Sequence, residues 1–371
     1  MSVPPEPPQR VSRLAPLAHV EARIAAIAVP VAPQAIDLGA ALGRVLAEDV
    51  TVSAPIPAAP VALTDGWAVR SDLVLDAGSY APVPLVPAPA WVEVGQPLPA
   101  ATDAVLPPDA VVTTAGMAEA HASATAGDCV VPVGADADTR SPLRRAGTYL
   151  RALDIAVLRA AGLDQVQVRV PRVRIVATAK SDADDFVGPL IARAIERAGG
   201  EALDDGRTLE EALRAPSADA VVAIGGTGMG RQDSSINTLS RVGRLDLHAV
   251  GIRPGETAAL GTAGSSPVLL LPGRLDAALA AWLVIGSRLL ARLTAGSDGD
   301  TPSPARLTRK VTSTVGLAEV VPVARGPEGV EPLASGYLPL QALARADGWI
   351  LVPPESEGFP AGATVEVRSF P

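Results

Sequence analysis

Apolar residues recur along this chain with two periods, and the places where one gives way to the other divide it into parts. Residues 14–29 carry a helical pattern that Pro30 and Pro33 end. A second helix is predicted after Ile36-Asp37, with Leu38, Ala41, Leu42, Val45 and Leu46 on one face and Asp37 as its N-cap. Between residues 53 and 140 the texture changes: prolines punctuate short Val-rich runs such as 110–114 and 129–133, which predicts a small β domain with protected edges. The helical period returns over 147–163 through Leu150, Leu153, Val157 and Leu158. The order predicts a helical stalk, residues 14–53 and 143–170, with a β domain, residues 54–142, inserted into it.

Residue 171 opens a region of strand and helix alternation. Strands are predicted over 172–178, 220–224, 249–252 and 267–271, and helices over 186–198, 208–215 and 236–242. Gly199-Gly200 stops the first of these helices. Leu275, Leu279, Trp282, Leu283, Leu289, Leu290 and Leu293 mark a long amphipathic helix. The alternation predicts a doubly wound parallel α/β domain over 171–297. Residues 297–304 read as a linker, and 304–371 as a C-terminal β domain, barrel-like or a sandwich, with strands near 307–313, 318–324, 349–352 and 364–367. Residues 1–13 read as disordered.

The run Ala220–Ile224 has the length and β-branched content of a strand buried on both faces. It feeds Gly225-Gly226-Thr227-Gly228-Met229-Gly230-Arg231-Gln232-Asp233. Gly225, Gly226, Gly228 and Gly230 permit positive φ and let amide N–H groups approach a ligand closely. Asp233 then stands at the rim, placed to hold a divalent cation or a polar group. Three further loops are expected at the same sheet edge: Thr178-Ala179-Lys180-Ser181-Asp182, Arg253-Pro254-Gly255-Glu256-Thr257 and Leu271-Pro272-Gly273-Arg274. Lys180, Arg253 and Arg274 supply positive charge, so a phosphorylated ligand fits them best. The competing reading makes the glycines tight turns and the arginines surface ion pairs. Asp65, in Thr64-Asp65-Gly66-Trp67, reads on spacing as an Asp-Gly turn residue.

Composition removes several classes of function. The net charge of −9, without a basic run, excludes a nucleic-acid footprint. A single cysteine, Cys129, rules out an internal disulfide, and His19, His121 and His248 show no metal-ligand spacing. The N-terminus lacks a signal-peptide pattern, and no apolar run approaches the ~20 residues that span a bilayer. A cytoplasmic protein with no membrane association is expected. Aromatics are only 3%, so Ala, Val and Leu must build the cores.

Taken in order, these segments resemble the molybdopterin molybdenumtransferase family, which includes the C-terminal enzyme domain of gephyrin. The resemblance is carried by residues 38–50, by Asp65-Gly66-Trp67-Ala68-Val69-Arg70 and by residues 94–105. It continues through the Gly-rich loop with Asp233, Arg253-Pro254-Gly255 and Leu271-Pro272-Gly273. It implies an elongated homodimeric subunit of four parts whose active cleft joins the α/β domain of one copy to the β domain of the other. It also implies adenylylated molybdopterin and molybdate as substrates, Mg²⁺, and release of AMP. Asp65 and Asp233 would be catalytic and, with Asp182, would hold the metal. Gly225, Gly226, Thr227, Gly228, Gly230, Arg253, Pro254, Gly255, Pro272, Gly273, Arg274, Lys180 and Ser181 would hold the pterin.

The chain departs from the family pattern at four places. Ala179-Lys180-Ser181-Asp182-Ala183-Asp184-Asp185 stands where the family has Thr-Gly-Asp-Glu-Leu, and Arg145-Ala146-Gly147-Thr148-Tyr149 stands where an Arg precedes Gly-Glu-Asp. Lys-Pro-Gly-Lys-Pro becomes Arg253-Pro254-Gly255-Glu256-Thr257, read as Thr257 in place of the second lysine, and Pro-Gly-Asn-Pro becomes Pro272-Gly273-Arg274-Leu275. The site is thus degenerate, and two functions compete. One is molybdate insertion. The other is a catalytically impaired homologue that binds molybdopterin or finished cofactor and delivers it. The partners implied are a molybdopterin adenylyltransferase or a molybdoenzyme apoprotein. A scaffold using only the stalk is a third, less supported reading.

Overall fold

A computed structural model describes residues 9, 11, 13–178, 186–214, 217–296 and 302–371. Most of the expected N-terminal disorder, Lys180, Ser181, Asp182 and the core of the 297–304 linker lie outside the described residues. The chain forms two compact units. The first comprises Met1–Glu48, Ala146–Ile155 and Asp164–Pro371; the second comprises Asp49–Arg145 and Ala156–Leu163.

The first unit is built on a six-stranded sheet. Its strands are β1 (Arg172–Ala177), β2 (Glu201–Leu203), β3 (Ala220–Ile224), β4 (Arg244–His248), β5 (Ala259–Ala263) and β6 (Ser266–Leu271), in the spatial order β2-β1-β3-β6-β5-β4. The expected parallel pairing holds from β2 to β6, while β5 and β4 extend the sheet antiparallel. Every residue of β3 is buried, as its unbroken apolar run requires. Helices α1 (Gly188–Arg197), α2 (Leu209–Arg214) and α3 (Ser235–Val242) connect the strands. The expected strand over 249–252 is only Ile252–Arg253, and it leaves this sheet to pair in parallel with Ala318–Gly326 of the C-terminal region.

The long helix α4 (Leu275–Thr294) is less amphipathic than its leucine spacing suggests. Residues 276–286 are all buried, because one cluster packs α4 against the sheet strands Ile175, Val222 and Leu269 and against Ala318, Val320, Leu338 and Trp349 of the C-terminal region. The helix includes a π-helical segment, Trp282–Gly286. By length and composition α4 could cross a membrane, yet 78% of its apolar window is buried inside the protein, which marks a core helix. A second C-terminal cluster joins Leu307, Val321, Val323, Ile350, Val352 and Val365.

The first predicted helix forms at Leu17–Ile27, but the second does not. Residues 34–46 make a strand, Gln34–Asp37, one 3-10 turn, Leu38–Ala40, and a two-residue strand, Val45–Leu46; both strands pair with Gln165–Arg169. Gly43 is the reason: its φ of +77° reverses the chain where a helix would continue. Leu38, Ala41, Val45 and Leu46 are buried as the pattern required, but on a turn and a strand, while Leu42 is exposed. Asp37 caps nothing; its Oδ1 accepts from Gln165 Nε2 at 3.0 Å. The expected return of helix is shorter, Ala152–Ala160.

The second unit is β-rich, as its proline-punctuated runs suggested. Gly66–Val69 lies between Ala90–Val92 and Ala104–Leu106, and Met117–Ala120 lies between Val83–Leu85 and Val111–Thr114. Its core is small-residue and valine packing around Val69, Val74, Leu85, Leu106 and Ala118.

The buried π-segment gives a direct check on packing. A Cβ at Gly286 would collide with the indole of Trp282, which is itself buried. Gly286→Ala is expected to destabilise the protein by about 1–3 kcal/mol through overpacking. Denaturant unfolding followed by tryptophan fluorescence would measure it, and an unchanged midpoint would contradict the packing described.

Candidate anion-binding site

The strand ends of β1, β3 and β6 converge because backbone meets backbone there. Gly225 N–H donates to Leu271 O at 2.8 Å, and Thr178 N–H donates to Ile224 O at 2.9 Å. The Thr178 hydroxyl also donates to Ile224 O, at 2.8 Å. Gly225 has φ +98°, and a Cβ on it would collide with the Thr178 hydroxyl and stand 3.8 Å from the Cα of Gly273. Gly226 has φ +68°, and its Cβ would stand 2.5 Å from Ser235 Oγ. Glycine is therefore required at both positions by conformation and by space. Ser235, the first residue of α3, closes the loop: its hydroxyl donates to Gly225 O at 2.8 Å and its N–H to Gly226 O at 3.0 Å.

Asp233 turns back over the loop that precedes it. Its Oδ2 accepts from Gly230 N–H at 2.8 Å and lies close above the Cα of Gly228 and Gly230. A side chain at 228 or 230 would displace this carboxylate. The loop and its acid thus form one piece, with Met229, Gly230, Arg231 and Gln232 exposed around it.

The 253–257 loop reaches the same place from the other sheet. Thr227, only 1% exposed, shares a hydrogen bond between its hydroxyl and that of Thr257 at 3.0 Å. His248 Nε2 donates to Thr227 O at 3.2 Å. Gly255, at φ +118°, lies against Ala277 O and Ile252 of the surrounding core. The structure therefore brings together Gly225, Gly226, Thr227, Gly228, Gly230, Asp233 and Gly273, and joins the Arg253-Pro254-Gly255 loop to them through Thr257.

The expected cations are already engaged. Arg253 Nε pairs with Glu256 Oε1 at 3.2 Å, and its NH1 reaches Thr314 Oγ1 at 3.4 Å. Glu256 is the fourth residue of that loop, so the place of the family's second lysine holds an acid; Thr257, read there from sequence, serves Thr227 instead. Arg274 grips Asp276 with two bonds, 3.1 and 2.6 Å, and its guanidinium stands 5.3 Å from the ring centroid of Tyr337. Asp276, which also accepts Leu338 N–H at 3.3 Å, raises the Arg274 pKa above its ordinary value through this hydrogen bond. Arg274 remains 64% exposed, so one face of the guanidinium is open to a ligand.

Asp65 lies in the second unit. It is exposed, and its Oδ1 accepts from Val94 N–H at 2.8 Å. The glycine beside it is not explained by a tight turn: a Cβ on Gly66 would collide with Leu106 O of the neighbouring strand. Among the described residues no group of three or more His, Cys, Asp or Glu side chains is placed to hold a metal ion.

Two contributors to this site had no signal strong enough to single them out. In the sequence His248 is a histidine without metal-ligand spacing. Gln9 lay in the Pro-rich terminus, yet it is only 4% exposed and its amide is sunk into the Gly-rich loop. Its Nε2 donates to Gly226 O and Gly228 O at 3.1 and 2.8 Å, and its Oε1 accepts from Ile236 N–H and Asn237 N–H at 2.8 and 3.3 Å.

Comparison with known proteins covers nearly the whole chain. Residues 15–162 match the MoeA N-terminal region (domains I and II), 175–292 match a family described as "Probable molybdopterin binding domain", and 304–370 match the MoeA C-terminal region (domain IV). A molybdopterin molybdenumtransferase 1 of Mycobacterium tuberculosis is 27% identical over 315 residues, 74% of this chain and 72% of that protein. A molybdopterin biosynthesis protein of Methanocaldococcus jannaschii is 29% identical over 167 residues, 44% of this chain but only 40% of that relative's length. The crystal structure of the molybdopterin biosynthesis MoeA protein of Pyrococcus horikoshii has the same fold, with a TM-score of 0.79 at 21% identity, covering 96% of this chain and 100% of that one.

The convergence of strand ends is testable at Gly225. Gly225→Ala combines a left-handed φ with a collision against Thr178, and is expected to cost about 1–3 kcal/mol of stability. Removing the γ atoms as well, in a Gly225→Ala, Thr178→Ala double variant, should recover the steric part and leave the backbone part. Additive losses in chemical denaturation would show that the two residues do not meet.

Proposed function

Since this chain belongs to the molybdopterin molybdenumtransferase family, we propose that it inserts molybdate into adenylylated molybdopterin and releases AMP. The observation that carries this reading is the Gly-rich loop: a strand end, a helix start and an acid locked by glycine-only geometry into a concavity suited to phosphate. The proposed subunit has four parts, 14–53 with 143–170, 54–142, 171–297 and 304–371, and works in the cytoplasm as a homodimer. A molybdopterin adenylyltransferase would supply its substrate, and a molybdoenzyme apoprotein would accept its product.

Amides of the 225–230 loop would orient the pterin-side phosphate, with Pro272 and Gly273 forming the adjoining wall. Thr227 is held rigid by Thr257 and His248, so the loop needs little reorganisation when the ligand arrives. Arg253 and the open face of Arg274 would neutralise phosphate charge. Mg²⁺ ordinarily takes one or two carboxylates and fills its shell with water and substrate phosphate, which a single rim carboxylate fits. Asp233 would hold it, with Asp182 and Asp65 as the further candidates from sequence; when bound, the ion stabilises charge developing on the cleaved anhydride. Lys180 and Ser181 are further candidates from sequence for holding the ligand.

A second reading has its own observation. Arg253 and Arg274 each spend part of their charge on Glu256 and Asp276, so the site opposes a polyphosphate less strongly than two unpaired cations would. That favours a carrier that holds the pterin and passes it on without turnover.

Incubation with adenylylated molybdopterin, molybdate and Mg²⁺ separates the two. Enzymatic AMP release is expected, and Asp233→Asn should lower kcat about a hundredfold while pterin affinity changes far less. Pterin binding with no AMP release by the wild-type protein would exclude the transferase reading and leave the carrier.

A further inference from the structure

We propose that Gln9 is a positioning residue that sets which way the Gly-rich loop points its peptide groups. This rests on the loop being the seat of the anionic ligand. Gln9 lies more than 200 residues from the loop in sequence, yet its amide uses both its donor and its acceptor capacity there. Two carbonyls, Gly226 O and Gly228 O, are drawn onto its NH₂ group.

A trans peptide places its C=O and N–H on opposite sides. When Gly226 O faces Gln9, the N–H of Thr227 must face away, and when Gly228 O faces Gln9, the N–H of Met229 must do the same. Neither N–H meets a protein acceptor among the described residues. Two donors, on Thr227 and Met229, directed away from Gln9 are what an oxyanion needs. Ser235 N–H also holds Gly226 O, so the Gln9 clamp matters most at Gly228, where glycine makes the peptide easy to flip and Gln9 Nε2 holds the carbonyl at 2.8 Å.

The helix that follows shows the same dependence. Ser234, at the N-cap of α3, makes no side-chain cap, and it is Gln9 Oε1 that takes the N–H groups of Ile236 and Asn237. The α3 terminus is therefore filled by a neutral amide, and the ligand's charge is met by the loop peptides instead. The chain segment carrying Gln9 is tied to the same unit at Ala15, whose N–H donates to Ala249 O at 2.9 Å and whose carbonyl accepts from Gly251 N–H at 2.8 Å.

The test uses the full chain and inorganic pyrophosphate as probe. Of the three methionines, Met1, Met117 and Met229, only the last is in the loop, so isotope-labelled methionine reports its amide by NMR against Met117 as an internal control. In the wild-type protein pyrophosphate should shift the Met229 amide and leave Met117 still. Gln9→Ala should weaken pyrophosphate binding by calorimetry about tenfold or more. Gln9→Leu keeps the bulk without adding charge but cannot donate to the two carbonyls. It should lose affinity to the same degree and shift the Met229 amide of the unliganded protein while Met117 stays unmoved, a local signature that a merely structural role would not give. Wild-type affinity in both variants would overturn the proposal, and tighter binding would overturn it by making Gln9 a plug. A wild-type Met229 amide indifferent to pyrophosphate would remove the anion seat itself, and the positioning role with it.

Discussion

Everything at the candidate site depends on two backbones approaching where no side chain can stand. Gly225 and Gly273 face each other at the ends of adjacent parallel strands, and the Thr178 hydroxyl fills the remaining space above Ile224 O. That approach lets the β3–α3 loop fold back on its own strand and allows Ser235 to seal it. With any larger residue the three strand ends would splay, and the concavity would open into an ordinary surface turn. The shape of the candidate site thus rests on a steric exclusion as much as on charge.

Electrostatically the site is more restrained than its basic residues imply. Arg253 and Arg274 stand next to Glu256 and Asp276, and each pair is set by a spacing of two or three residues. Held this way, the guanidinium planes are oriented before a ligand arrives, and Tyr337 beneath Arg274 fixes one of them further. Pre-pairing lowers the attraction for an anion but also removes the entropy of ordering two long side chains.

Much of this was legible in the sequence, and the failures have distinct causes. The buried strand Ala220–Ile224, the glycine loop and the α/β order were read directly, because an unbroken apolar run followed by glycines has few alternative folds. The helix expected over 38–46 was wrong because a single positive-φ glycine, Gly43, outweighs an apolar period of three and four. The competing reading of the arginines as ion pairs is met at Arg253 and Arg274, whose acids lie two or three residues away in the sequence. Gln9 is a different case. A lone glutamine between prolines carries no period, and only the tertiary fold shows that its amide fits the loop.

The sharing of α4 between two sheets has a consequence for how the molecule comes apart. Its inner face packs on the sheet that carries the Gly-rich loop, while its neighbours Leu338, Val320 and Trp349 belong to the C-terminal region, so one continuous core spans both. Domain names drawn along the chain would place a boundary here, but the hydrophobic interior does not recognise it. The C-terminal strands are thermodynamically part of the fold that shapes the loop: they cannot melt without baring a helix of leucine, alanine and tryptophan beneath it. Gene fusions or truncations that treat the last seventy residues as a detachable module would therefore forfeit the binding fold along with them, and would leave a sticky apolar helix in its place.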